Sequence, residues 1–291
     1  MSLAFALEEL SSAPASLELD PLAFPRRWSR PADQEVMAVL AASLAFGRVR
    51  GFWPVLEALH VLAERHGGPE AWLRGFDGER GAELLGLQHR WVRGADLALW
   101  CATLGRALRA HGSLGALAVQ GFRVEDPHIG PMLEALVGRL REHAVEVAGV
   151  GRFEELPRGF RGLLCQPSDG SACKRWCMAL RWLVRSEDPD LGLWALPTAM
   201  LVIPLDTHVA RLSWFLGLTR RTDGSWKTAL EITRALAEID PGDPLRFDFA
   251  LAHLGIDGRC TVGVRDPLPP PVEVCGACAL GGVCRVNRGR R

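Results

Sequence analysis

Apolar residues recur at helical spacing along almost the whole chain, and no convincing run alternates apolar with polar residues as a half-buried strand would. The period is plain in "DQEVMAVLAASLAF" (33–46), "FWPVLEALHVLAERHG" (52–67), "ADLALWCATLGRALRAHG" (95–112) and "GPMLEALVGRLREHAVEVAG" (130–149). It predicts further helices over 173–185, 207–216, 226–239 and 244–254. Such a chain buries its apolar stripes helix against helix, so the expected fold class is all-α, without a repeat of fixed period. With 291 residues and 48% hydrophobic content it can bury a sizeable core, in one large domain or two of ordinary size. "PSDGSA" (167–172) and the proline-rich "DPLPPP" (266–271) punctuate the helices.

Charge narrows the choice of partners. The 34 basic and 34 acidic residues cancel, so no global cationic field advertises nucleic acid, and any such binding must be local. No stretch has the roughly eighteen uncharged apolar residues of a membrane span, and the opening "MSLAFALEELSSA" has neither a basic leader nor a long apolar core. A cytoplasmic protein without membrane contact is expected. Of the 34 basic residues only Lys174 and Lys227 are lysines. Arginine stays protonated at any relevant pH, so a reaction needing an amine nucleophile has two side chains to choose from.

Beyond the last predicted helix, Cys260, Cys275, Cys278 and Cys284 are spaced C-x14-C-x2-C-x5-C. Four thiolates suit an iron–sulfur cluster or a structural zinc, and a disulfide framework is disfavoured in a reducing compartment. Cys101, Cys165, Cys173 and Cys177 sit in or beside helices and read as buried thiols.

Two further positions carry possible chemistry. Asp206, in "VIPLDTHVARLSWFLG" (202–217), precedes an apolar-periodic segment, where an aspartate is a preferred N-cap contributing about 0.5–2 kcal/mol. Lys174, in "SDGSACKRWCMALRWLV" (168–184), follows a glycine-containing turn and opens a helix, where its positive charge opposes the macrodipole. A solvated lysine and a capping acid explain each residue separately.

Taken together, these stretches resemble the helix-hairpin-helix DNA glycosylase superfamily, which includes endonuclease III and the 8-oxoguanine glycosylases. "GSACK" reproduces the G-x-x-x-K spacing from hairpin glycine to catalytic lysine, "LDTH" matches the family's "VDTH", and Cys275, Cys278 and Cys284 match the C-x2-C-x5-C tail of its cluster-bearing members. Lys174 and Asp206 lie 32 residues apart, farther than in endonuclease III, and this longer interval is similar to the archaeal 8-oxoguanine branch. "DPLAFPRRW" (20–28), "AASLAFGRV" (41–49), "LQHRW" (87–91) and "DFALAHLGI" (248–256) are similar to an uncharacterised bacterial family related to that branch. The fourteen residues between Cys260 and Cys275 depart from endonuclease III, whose spacing is shorter, and keep zinc open beside iron–sulfur. "AGVGRF" (148–153) looks more like the usual hairpin consensus, but no lysine follows it, and its glycine suits a helix C-cap.

The resemblance implies a two-domain glycosylase-like fold ending in a four-cysteine metal-cluster loop. One domain would span 33–185 and carry the hairpin, and the other would combine 1–32 with 186–291. Lys174 and Asp206 would be catalytic, acting on a damaged base, 8-oxoguanine first, with β-elimination lyase activity. Gly170, Ser171, Asp248, Met178, Arg48 and His89 would contact DNA or the extruded base. Cys260, Cys275, Cys278 and Cys284 would hold a [4Fe–4S] cluster, with zinc as the alternative. The expected partner is double-stranded DNA bound by a monomer, associated with the nucleoid when bound. Where the branch tends to place a stacking aromatic, this chain has Ala252, leaving Met178, Trp176 or Phe249 to stack. The alternatives are an oxidised-pyrimidine glycosylase, a non-catalytic metal-containing DNA-binding or damage-sensing protein, and a zinc-stabilised protein-interaction module.

Overall fold

The computed structural model describes residues 2–11, 17–256, 260, 275 and 278–285. In chain order its helices are α1 (Leu3–Ser11), α2 (Ala23–Arg26), α3 (Pro31–Leu44), α4 (Val49–Arg65), α5 (Pro69–Arg74), α6 (Gly78–Ala82) and α7 (Gly94–His111). They continue as α8 (Leu114–Val119), α9 (Gly130–Ala148), α10 (Arg158–Arg161), α11 (Lys174–Val184), α12 (Thr207–Leu216), α13 (Trp226–Ala237) and α14 (Asp248–Ile256). The described residues are mostly helical, and the long helices coincide with the periodic segments. An antiparallel hairpin of two-residue strands, β1 (Gln88–His89) and β2 (Val92–Arg93), has no counterpart in the predicted pattern. Strands this short show no alternation, and register comes from the turn. No helix among the described residues is long and apolar enough to cross a membrane.

The chain divides into two compact units, one formed by Leu17–Asp169 with Met178–Leu196, the other by the described residues of Met1–Ser16, Gly170–Cys177 and Pro197–Arg291. These boundaries differ from the expected 33–185 against 1–32 plus 186–291, and packing explains why. Residues 17–32 cannot leave the larger unit, since Leu22 and Phe24 are fully buried, Arg27 pairs with Glu57, and the Gln34 amide donates to the Trp28 carbonyl at 2.9 Å. Residues 170–177 belong to the smaller unit because Ser171 bridges Ser225 and the Trp226 N–H donates to the Gly170 carbonyl at 3.3 Å.

In the larger unit α3 is buried from Val36 to Leu44, as its almost unbroken apolar sequence demands. Two acids at its start are buried with it, and each satisfies orphan amides of a neighbouring helix. The Glu35 carboxylate accepts from the Leu114 and Gly115 N–H groups at the start of α8, at 3.0 and 2.8 Å, and from the Trp194 indole N–H at 2.7 Å. Asp33 accepts from the Glu70 N–H at the start of α5, 3.0 Å away. Buried carboxylates persist only when bonded in this way.

The smaller unit packs α1, α12, α13 and α14. Ala6 and Leu7 of α1 are fully buried, and Arg246 reaches Glu8 at 2.8 Å. α12 and α14 approach so closely that a methyl group at Gly255 would lie 2.6 Å from both Cβ and Nδ1 of His208. Glycine at 255 is therefore what admits the histidine of "LDTH" beside α14.

Candidate active site

Local sequence builds the lysine's position. Gly170 has a left-handed φ of +77° and Cys173 one of +50°, so the backbone enters the left-handed region twice within four residues before α11 begins at Lys174. A non-glycine residue at positive φ carries strain that surrounding contacts must hold. Here the Ser171 hydroxyl accepts from the Cys173 N–H at 3.1 Å, and the Cys177 N–H returns to the Cys173 carbonyl at 2.9 Å. A methyl at Gly170 would meet nothing within 4 Å, so the glycine serves backbone conformation and leaves open space beside the turn.

A second turn braces the first. "DGS" at 169–171 recurs at 223–225, and the two serines pair in an isolated antiparallel bridge. Asp223 accepts from the Ser225 N–H at 3.1 Å and the Thr228 hydroxyl at 2.7 Å, while Arg221 pairs with it at 2.8 Å. Hydrogen bonds from Ser225 and then Thr228 hold the Asp223 carboxyl well below the usual carboxylate range. The repeated tripeptide was a readable signal for this brace.

Asp206 ends the extended, buried stretch Leu201–Leu205 and caps α12. Its Oδ1 accepts from the His208 and Val209 N–H groups, both at 2.8 Å. Its Oδ2 lies 3.7 Å from Lys174 Nζ. One oxygen therefore caps while the other meets the lysine. The side chains are 32% and 16% exposed, and an ion pair this open to water contributes at most about 1 kcal/mol. The cap accounts for the stability the residue supplies; the Lys174 contact adds little to it and leaves an amine beside a carboxylate, reachable from solvent.

The remaining expected site residues divide between the units. Gly170, Ser171 and Asp248 share the smaller unit with Lys174 and Asp206, whereas Arg48, His89 and Met178 lie in the larger one. Asp248 opens α14 but is only 2% exposed. Met178 is buried, and the boundary between the units falls just before it, inside α11. His89 is buried, with Nε2 2.7 Å from the Phe46 carbonyl and its ring 4.4 Å from the Phe46 ring, so its local part is to hold the 46–48 loop against the hairpin. Arg48 is exposed. On α14 the partly exposed rings of Phe249 and His253 stack at 4.1 Å; the i, i+4 spacing of "FALAH" could have revealed His253 as part of an aromatic surface. The "AGVGRF" turn is a C-cap, with Gly149 left-handed at φ +65° at the end of α9.

Among the described residues none of the four C-terminal cysteines is joined in a disulfide, and each is partly exposed. The Cys278 N–H donates to the Cys275 carbonyl at 3.4 Å, the Gly281 N–H to the Cys278 carbonyl at 2.8 Å, and Arg211 to the Cys260 carbonyl. Among the described residues no group of three or more His, Cys, Asp or Glu side chains is gathered to hold a metal. The donor set suits a metal by its chemistry, four thiols being what zinc and iron–sulfur clusters take.

No curated protein and no solved structure matches the chain. A family model matches residues 20–257, a span that includes Lys174 and Asp206 and stops short of all four C-terminal cysteines. That match covers most of the sequence, and the chain belongs to the family described as "Protein of unknown function (DUF2400)".

Proposed function

We propose that this chain is a base-excision DNA glycosylase with β-elimination lyase activity, and that 8-oxoguanine is its leading substrate. The observation that carries the reading is the 3.7 Å approach of Lys174 Nζ to Asp206 Oδ2, made across 32 residues of sequence. Cleaving the bond between base and sugar sends the electron pair to the base and leaves positive charge on C1′, which the Asp206 carboxylate stabilises. The Lys174 amine then adds at C1′, loses a proton, and opens the sugar ring to a protonated Schiff base. That makes the C2′ proton acidic; its removal expels the 3′ phosphate, and water releases the enzyme. On this reading the protein acts as a monomer on double-stranded DNA in the cytoplasm, at the nucleoid. An ionised acid only accepts hydrogen bonds, so Asp248 would suit the N–H donors of a guanine edge, if base binding uncovers it.

A panel of duplexes carrying 8-oxoguanine, thymine glycol, uracil or alkylated purines tests this. Release of 8-oxoguanine with strand scission is the expected result. Preference for an oxidised pyrimidine would overturn the substrate and keep the chemistry. Tight, salt-sensitive binding to every duplex without release would replace the enzyme by a DNA-binding protein on the same scaffold.

Cys260, Cys275, Cys278 and Cys284 would hold the [4Fe–4S] cluster of this proposal, which would brace the C-terminal segment. Protein purified without oxygen should then be brown, with broad absorbance at about 400 nm. A colourless protein carrying stoichiometric zinc would assign the thiols to zinc. Metal analysis finding neither, with all four thiols reactive in the native protein, would remove the metal.

A further inference from the structure

The larger unit presents an exposed tryptophan within a group of arginines. Trp91 sits with Arg90 in the turn between β1 and β2 and is 51% exposed. Its ring stacks on Phe46 at 4.6 Å and 25°, and Phe46 is itself held by His89. Arg90 holds a left-handed φ of +53° and lays its guanidinium 5.0 Å from the indole centroid. Gly47, at φ +82°, lets the 46–48 loop pass so close that a methyl there would meet the Arg90 Nη1 at 2.9 Å.

Arg90 lies over this ring, Arg93 follows it on β2, and Arg48 and Arg50 flank the start of α4 next to the loop that carries Phe46; all four are exposed. α10 adds Arg158 and Arg161: a methyl at Gly159 would lie 2.5 Å from the Trp91 carbonyl, and one at Gly162 3.5 Å from its indole nitrogen. Among the described residues none of these six guanidinium groups has a carboxylate within ion-pair distance. Many other arginines of the same unit are paired, as in Arg27–Glu57, Arg65–Glu83 and Arg139–Glu142, while Arg80 and Arg109 bond to backbone carbonyls. Asp96, the acid beneath the hairpin, is buried and accepts from the Arg93 backbone N–H at 2.9 Å. On a chain of zero net charge, this is a local cationic face built around a supported aromatic ring.

We infer that this face binds DNA at an unpaired base, with Trp91 stacking on the base and the surrounding arginines holding the flanking phosphates. Arginine forks match phosphate oxygens, and an indole ring accepts any base. Arg90 moves from the ring to a phosphate as the base takes its place. The inference rests on the DNA reading above for the polymer it names, but on neither Lys174 nor Asp206.

Binding of the full chain to three labelled DNAs tests it: a paired duplex, the same duplex with one unpaired base, and a single strand. Trp91→Ala should weaken the unpaired-base duplex and the single strand by about 5- to 150-fold while changing the paired duplex little, and Trp91→Phe should restore most of the loss. Arg93→Ala should weaken all three alike and lower the salt slope by about one. Equal losses on all DNAs in Trp91→Ala, or no loss, would overturn the stacking assignment. So would wild-type binding to polyglutamate as tight as to DNA, which would make the face an acidic-peptide site. Base release with no Trp91 effect would sink this inference alone, and a Trp91 effect without base release would sink the glycosylase reading alone.

Discussion

Lys174→Ala should leave damaged duplex bound and abolish its covalent trapping by borohydride. The fold should survive, because the lost ion pair to Asp206 is partly exposed and stabilises by about 1 kcal/mol at most, while Asp206 Oδ1 continues to cap α12. The chemistry should not survive, because a Schiff base needs a primary amine and the chain offers few. Lys227 lies exposed near the start of α13 and is the next candidate, followed by the N-terminal amine. Trapping that persists in Lys174→Ala and disappears in Lys227→Ala would move the nucleophile to the second turn of the paired "DGS" brace. Base release that continues in Lys174→Ala without strand scission would separate the two steps and leave Asp206 serving a water nucleophile.

Asp206→Asn should cost little stability and most of the turnover. Asparagine keeps an oxygen where Oδ1 receives the His208 and Val209 amides, and the two residue types are near-equal caps. Losing the charge opposite Lys174 adds about 1 kcal/mol at most, since the pair is open to water. Turnover should fall by about 10²–10³, corresponding to about 3–4 kcal/mol of lost electrostatic stabilisation at the developing cation. Asp206→Ala should lose the cap as well, at a further cost of about 0.5–2 kcal/mol in unfolding free energy. The measurements are a melting curve and single-turnover base release on the same preparations. Equal losses in both by Asp206→Asn would return the residue to a purely structural part.

Both predictions depend on a contact that neither motif contains. "GSACK" places a lysine at the start of a helix and "LDTH" places an acid at the start of another, each from local spacing. Their approach is produced by the tertiary fold of the smaller unit, including the Ser171–Ser225 bridge that ties the lysine's turn to the start of α13.

The sequence by itself determined the long helices, the cap at Asp206 and the glycine stop at Gly149, while the short helices α1, α2, α5, α6, α8 and α10 carried no readable period. Helical period, an N-cap acid and a C-cap glycine act within four or five residues, so the α3, α7, α9 and α12 segments, the Asp206 cap and the Gly149 stop were all legible. Tertiary structure alone decided what meets what. The "LQHRW" segment carries a histidine that reads as a DNA contact, yet packing buries His89 against Phe46 and leaves Trp91 outside. Asp248 carries the same chemistry whether exposed or buried, and α14 buries it. Residues 17–32, 170–177 and 186–196 fall in the other unit from the one expected because apolar burial and backbone pairing act through space, between residues far apart in the chain. A hydrophobic period reports which face of a helix is hidden, and only the assembled core selects the neighbour that hides it.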